Sequence, residues 1–375
     1  MRNALLRRAL ASIQNEITAA GPVIALGSAP ATHVQLQDRF AAARSVFTQS
    51  PIASVQRRVD HIIHDLLAAV DSNLPMLNSI SSLLFESSAA KRIRPSLCLL
   101  MSNALNPQLA PEPDTPITNV DIIAQISEMI HVASLLHDDV LDGAKTRRQR
   151  PTANATFGNK ASILCGDFIL ARSSSLLASL GSCEAVSIMT KIISDLVSGE
   201  IMQMRPMNVG SIGDRINYYM SKSYHKTASL MSNSCKTIAC IRGHSPEMQT
   251  AAEDYGKFLG LCFQITDDLL DIVSDCETLG KNARIDLASG VATAPVLFAA
   301  EQFPQLDKIL ERKFSNPGDV EETMELVFKS NGIDMTRELI NSLAGIAVES
   351  LESFPESPHR EALCILIQDV INRKS

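Results

Sequence analysis

Residues 121–142 read DIIAQISEMIHVASLLHDDVLD. Ile122, Ile126, Met129, Ile130, Ala133, Leu136 and Val140 recur every three or four positions, the period of one face of an α-helix. His131, Asp138 and Asp142, spaced by seven and four, share another face, with Asp139 adjacent. Three carboxylates at a helix C-terminus repel one another, and the helix dipole already makes that end negative. Something positive must offset them.

The pattern returns at 264–271, where Gln264, Asp267, Asp268 and Asp271 share one side of a helix containing Phe258, Leu261, Phe263, Leu269 and Ile272. The first aspartates of the two clusters lie 129 residues apart, enough for intervening helices to bring them face to face. A single DDxxD also describes an ordinary acidic helix end. Two at matching spacing point to metal, and hard oxygen donors suit Mg2+, which keeps waters and bridges to phosphates.

Cations follow the acids. Lys145, Arg147, Arg148 and Arg150 fall within six residues after the first cluster, and Lys91, Arg92 and Arg94 precede Pro95 and an apolar helix. Lys226 with Thr227, and Lys281 ten residues beyond Asp271, add to them. A solvated basic loop would explain any one patch alone. Together they provide for two diphosphates, one held through metal and one directly by lysine and arginine. There is no Walker-type loop, dinucleotide fingerprint or serine–histidine–acid arrangement.

The rest of the chain supports a helical protein. From about residue 60 the apolar period is three to four, interrupted by loops at 106–116, 142–158, 204–214 and 274–290. With 375 residues, 45% hydrophobic and a net charge of −7, a sizeable core is available and no global basic field draws nucleic acid. Eight scattered cysteines without a CxxC pair read as reduced, mostly buried thiols. No apolar run of 18 residues suggests a membrane span, which leaves only peripheral membrane contact. Residues 1–59 hold seven arginines, no lysine and two acids, Glu16 and Asp38. That is the composition of a mitochondrial presequence, with a disordered arm as the alternative, and it sets the folded domain at 60–375.

With these motifs in hand, the chain resembles the trans-polyprenyl diphosphate synthases. The resemblance rests on KRIRP at 91, HDDVLD and TRR at 137–148, GDFILAR at 166, GEIMQ at 199, YHKTASL at 224 and FQITDDLLD with LGK at 263–281. It implies an all-α fold, a bundle of long antiparallel helices around a central cavity, usually dimeric. It also implies that Asp138, Asp139, Asp142, Asp267, Asp268 and Asp271 hold Mg2+ against an allylic diphosphate. Arg147, Lys226, Thr227, Gln264 and Lys281 would touch that diphosphate, and Lys91, Arg94, His131 and Arg148 would hold isopentenyl diphosphate. Departures from the family's pattern fall at Ala89, Ala90, Gln149, Asn282, Arg284 and Ile285 and remove no ligand.

In that family the side chains one turn before the first cluster face the growing product. Here they are Ala133 and Ser134, with Ile130 a turn deeper, and no aromatic residue occurs in 121–142. The expected product is therefore C30 to C50, the size of a ubiquinone side chain. The rival readings are a C15 to C20 synthase, a terpene cyclase, which DDLLD argues against, and a non-catalytic subunit of a heteromeric synthase. The six carboxylates argue against the last.

Overall fold

The computed structural model describes residues 33–85, 92–109, 115–147, 150–204, 210–273, 287 and 289–373. The chain opens with α1 (His33–Val46), α2 (Pro51–Ala69) and α3 (Pro75–Phe85), then α4 (Ile93–Leu105) and α5 (Asn119–Leu141). A small antiparallel hairpin, Thr146–Arg147 against Arg150–Pro151, precedes α6 (Ala153–Phe157), α7 (Asn159–Ser179), α8 (Cys183–Met204) and α9 (Ile212–Ser223). A π-helical turn, Tyr224–Ala228, joins α9 to α10 (Ser229–Ile241). The body is completed by α11 (Pro246–Val273), α12 (Ala294–Gln302), α13 (Leu306–Glu311), α14 (Asp319–Lys329), α15 (Gly332–Ser350) and α16 (Pro358–Ile371). The fold is all-α; among the described residues the chain leaves α-helix within the interruptions expected at 106–116 and 142–158, the latter also holding the hairpin and α6, while 205–209 and nearly all of 274–290 lie outside the described residues.

At the centre lies α10, buried on nearly every side and packed by α4, α5, α8 and α11. Small side chains permit this: Ser229, Ser232, Ser234 and Ala239 are fully buried, and the serine hydroxyls find partners inside. On α11, a Cβ at Gly256 would come within 2.6 Å of the Met231 carbonyl oxygen, and one at Gly260 within 2.5 Å of the Ala228 Cα. Spaced by four, the two glycines share the face that seats α11 on the π turn and α10.

The first aspartate helix, α5, begins at Asn119 with a capping box: Thr118 Oγ1 accepts from the Asp121 N–H at 3.4 Å, and Asp121 Oδ2 accepts from the Thr118 N–H at 2.7 Å. The apolar stripe expected of it is widened in the structure, because α4 and α10 on one side and α7 on another also bury Ile123, Ala124 and Val132. Its start is pinned by Arg58 of α2, which donates to Asp121 at 2.6 and 3.0 Å and to the carbonyls of Thr115 and Pro116. Both side chains are essentially removed from water, at 4% and 0% exposure.

That contact corrects the boundary expected at residue 60. Residues 33–59 belong to the folded body: Leu36, Phe40 and Ala43 of α1 are buried, and α1 packs on α16. Arg39 pairs with Glu361 at 2.5 and 3.1 Å, and Arg44 pairs with Asp369. Two of the arginines that resemble a presequence in composition, Arg39 and Arg44, thus have partners more than 300 residues away. Residues 1–32, the rest of that expected segment, lie outside the described residues.

One described helix, α7, is long and apolar enough by length and composition to cross a membrane, although no such stretch was expected. It carries Asp167 and Arg172 and packs along α5, so it is a helix of the bundle.

Candidate active site

Asp138 and Asp139 occupy the last turn of α5, and Asp142 caps it. The hairpin then folds the chain back, so that Arg147 meets Asp139 with Nε at 2.9 Å and Nη2 at 2.8 Å from Oδ1. Arg147 is thus one positive group the crowded helix end requires. Asp142 is exposed to solvent. Burial, followed by the neighbouring Glu200, pushes the half-buried Asp138 carboxyl up to about 7, with Lys226 opposing and Asp142 adding to the rise. His137 turns onto α7 instead, its Nε2 3.3 Å from the Ile163 carbonyl oxygen, where Gly166 leaves room for the ring.

The second cluster sits on α11. Asp268 is buried and accepts from Tyr219 Oη at 2.6 Å and from Gln264 Nε2 at 2.7 Å. Burial raises its pKa above the ordinary carboxylate value, against the pull of Tyr219, Lys222 and Gln264. Gln264 Oε1 in turn accepts from Thr227 Oγ1 at 2.6 Å. Next along the chain, Lys226 Nζ lies 2.7 Å from Glu200 Oε1 and 2.9 Å from Gln203 Oε1. Asp267 is exposed and pairs with Arg373 at 2.5 Å, whose guanidinium lies 4.1 Å from the centre of the Phe263 ring. Asp271 is half-buried on the same helix.

The π turn explains how Tyr219 on α9 and Thr227 in the turn itself reach one stretch of α11. In a plain α-helix, eight residues carry a side chain about 80° past its starting direction, whereas seven return it to within about 20°. Tyr219 and Thr227 are eight apart, yet both meet the Gln264–Asp268 pair. The turn absorbs the extra residue, so the eight-residue interval behaves as seven. It also leaves consecutive residues, Lys226 and Thr227, at work on two sides: Lys226 in the field of Asp138 and Glu200, Thr227 on Gln264.

The structure therefore links Asp138, Asp139, Arg147, Lys226, Thr227, Gln264 and Asp268 through contacts and charge. Arg94, in the first turn of α4, and His131, on α5, are half-buried. Lys91, Arg148 and Lys281 lie outside the described residues. Tyr219 and Arg373 carried no signal in the sequence, and Glu200 and Gln203 stood in the GEIMQ motif without a role. Among the described residues, no three histidine, cysteine or acidic side chains already converge on one point. Carboxylates spread over two helix ends still fit an ion that keeps waters and completes its shell with phosphate oxygens.

With this geometry established, comparison with known proteins identifies the class. Residues 75–327 match the family model described as Polyprenyl synthetase. The solanesyl-diphosphate synthase 1, mitochondrial, of Oryza sativa subsp. japonica is 40% identical over 330 residues, covering 85% of this chain and 76% of that one. The decaprenyl-diphosphate synthase subunit 1 of Schizosaccharomyces pombe is 39% identical over 351 residues, covering 86% and 93%. The polyprenyl synthase of Caulobacter crescentus CB15, solved with calcium and isoprenyl diphosphate, superposes with a TM-score of 0.72 at 29% identity, covering 90% of this chain and 98% of that one. The chain belongs to the polyprenyl synthetase family and is a prenyltransferase with the isoprenoid synthase fold.

Proposed function

We propose that this protein adds isopentenyl diphosphate repeatedly to an allylic diphosphate and releases an all-trans polyprenyl diphosphate of C30 to C50. The observation that carries the reading is the link between the two aspartate clusters through Lys226, Thr227 and Gln264. Asp138, Asp139, Asp142, Asp267, Asp268 and Asp271 would hold Mg2+, which supplies positive charge to a departing diphosphate when bound. Arg147, Lys226, Thr227, Gln264 and Lys281 hold that diphosphate in place, and Lys91, Arg94, His131 and Arg148 hold the isopentenyl diphosphate. As the allylic C–O bond breaks, the electron pair leaves with the diphosphate and a delocalised carbocation remains. The isopentenyl double bond attacks it, and the released diphosphate takes the proton lost afterwards. Positioning and fixed charge carry the catalysis, with water excluded from the cation.

Product length is supported by the lack of a bulky side chain one helical turn before Asp138, where Ser134 is half-buried and the neighbouring Ala133 is packed into the core. Relatives named for solanesyl and decaprenyl products agree with it. A ubiquinone role in the mitochondrion is supported by a relative named as mitochondrial. Self-association is supported by apolar side chains left in solvent on neighbouring helices: Ile163 and Leu164 on α7, and Val197, Ile201 and Met204 along α8. A homodimer would bury them, and a related subunit in a heteromer would do the same. Incorporation of labelled isopentenyl diphosphate by the full chain, with and without chelator, tests the reaction; incorporation that persists when divalent ions are removed refutes it.

A further inference from the structure

Outside the diphosphate site, a buried polar cluster lies behind the π turn. Asp195 of α8 is buried at 7% exposure. Its Oδ1 stands 3.3 Å from His225 Nδ1, and its Oδ2 accepts from Ser229 Oγ. Asn233 Nδ2 donates to the Ser229 carbonyl and hydroxyl oxygens at 2.9 and 3.1 Å. Lys191, one turn away on α8, completes the charge at 3.9 Å, and the Tyr224 ring packs edge-on against His225 at 5.4 Å. Although burial alone would raise it, the contacts with His225 and Ser229 hold the Asp195 carboxyl below its ordinary pKa. One turn along α8, a Cβ on Gly199 would fall 2.8 Å from the Lys226 backbone nitrogen, so α8 lies directly against the turn.

These residues flank Lys226 and Thr227 without reaching the aspartate clusters. We propose that Asp195 is a positioning residue: by tying His225 and Ser229 to α8, it keeps Tyr224–Ala228 in its π register and so holds Lys226 and Thr227 at the allylic diphosphate. A π turn is held only where its surroundings select it over α-helix. If the turn relaxed to α-helix, the eight-residue interval would leave Thr227 about 80° out of line with Tyr219, and Thr227 could no longer meet Gln264 while Tyr219 meets Asp268. The inference rests on the assignment of Lys226 and Thr227 to the allylic diphosphate.

The test uses the full chain and steady-state kinetics with each substrate varied in turn. Asp195→Ala is expected to raise the KM for the allylic diphosphate by about 10-fold or more while leaving the KM for isopentenyl diphosphate within about 2-fold. Asp195→Asn keeps an oxygen for Ser229 and a partner for neutral His225, and should recover the allylic KM to within about 3-fold of wild type. The melting temperature of each variant is read alongside, and Ser229→Ala is measured in the same way should Asp195→Ala fail to fold. Both KM values rising together, no change in either, or an Asn variant as impaired as the Ala variant would overturn the proposal. Lys226→Ala separates the two levels of argument: if it leaves the allylic KM unchanged, the site assignment fails; if it raises that KM while Asp195→Ala does not, only the positioning role fails.

Discussion

Substituting Asp138 by Asn should stabilise the metal-free protein and abolish its chemistry. The Asp138 carboxyl is pushed from 3.8 to about 7 by burial and by Glu200, with Asp142 adding to it. Below the lower value, the group is protonated in both folded and unfolded chains and contributes nothing to pH dependence. As pH rises through this window, the unfolded chain ionises first, so folding loses stability, and the loss is complete above the folded pKa. Three units correspond to about 4 kcal/mol at most, and water reaching this half-buried side chain reduces that to about 1–2 kcal/mol. Asn carries no charge to desolvate. In chelator at pH 8 the variant should therefore melt above wild type, by about 2–4 °C per kcal/mol, and lose part of the fall in stability between pH 4 and 8. Its turnover with Mg2+ should drop by about 100-fold or more. Scanning calorimetry across pH, with chelator, measures the first effect. A variant that melts at or below wild type at pH 8 would refute the view that burial and like charge destabilise the ionised Asp138.

Ser134→Phe places a ring one turn before Asp138 on the same face of α5, and should shorten the product while leaving the first condensation intact; chromatography of the products checks it. Gly199→Ala sets a methyl 2.8 Å from the Lys226 backbone nitrogen, and should weaken allylic diphosphate binding by about 10-fold, as read by calorimetric titration. Arg58→Ala leaves Asp121 buried without its guanidinium partner and should cost about 3–5 kcal/mol, seen as a fall in the denaturation midpoint.

Both aspartate helices and the polar break after Asp142 were legible because each shows itself within a few residues, through apolar period, charge or breakers, and the Lys226–Thr227 step came with the family resemblance. The π turn was not, since a shift of one residue in hydrogen-bond register leaves the local spacing unchanged and becomes visible only when Tyr219 and Thr227 are seen on the same stretch of α11. Arg373 meets Asp267 across most of the C-terminal third of the chain, and no local pattern announces such a pair. The misreading of 33–59 has the same cause. Acid-poor, arginine-bearing sequence looks like a presequence until Glu361 and Asp369 supply the missing acids from α16. Glu200 shows a further limit: its motif was recognised, but its effect on Asp138 is tertiary.

The most direct measurement is the mass of the product formed by the full chain from farnesyl diphosphate, isopentenyl diphosphate and Mg2+, with Asp138→Ala and chelator as controls. A ladder ending between C30 and C50, absent from both controls, is the predicted result. A ceiling at C15 to C20, or products that persist in the controls, would contradict it.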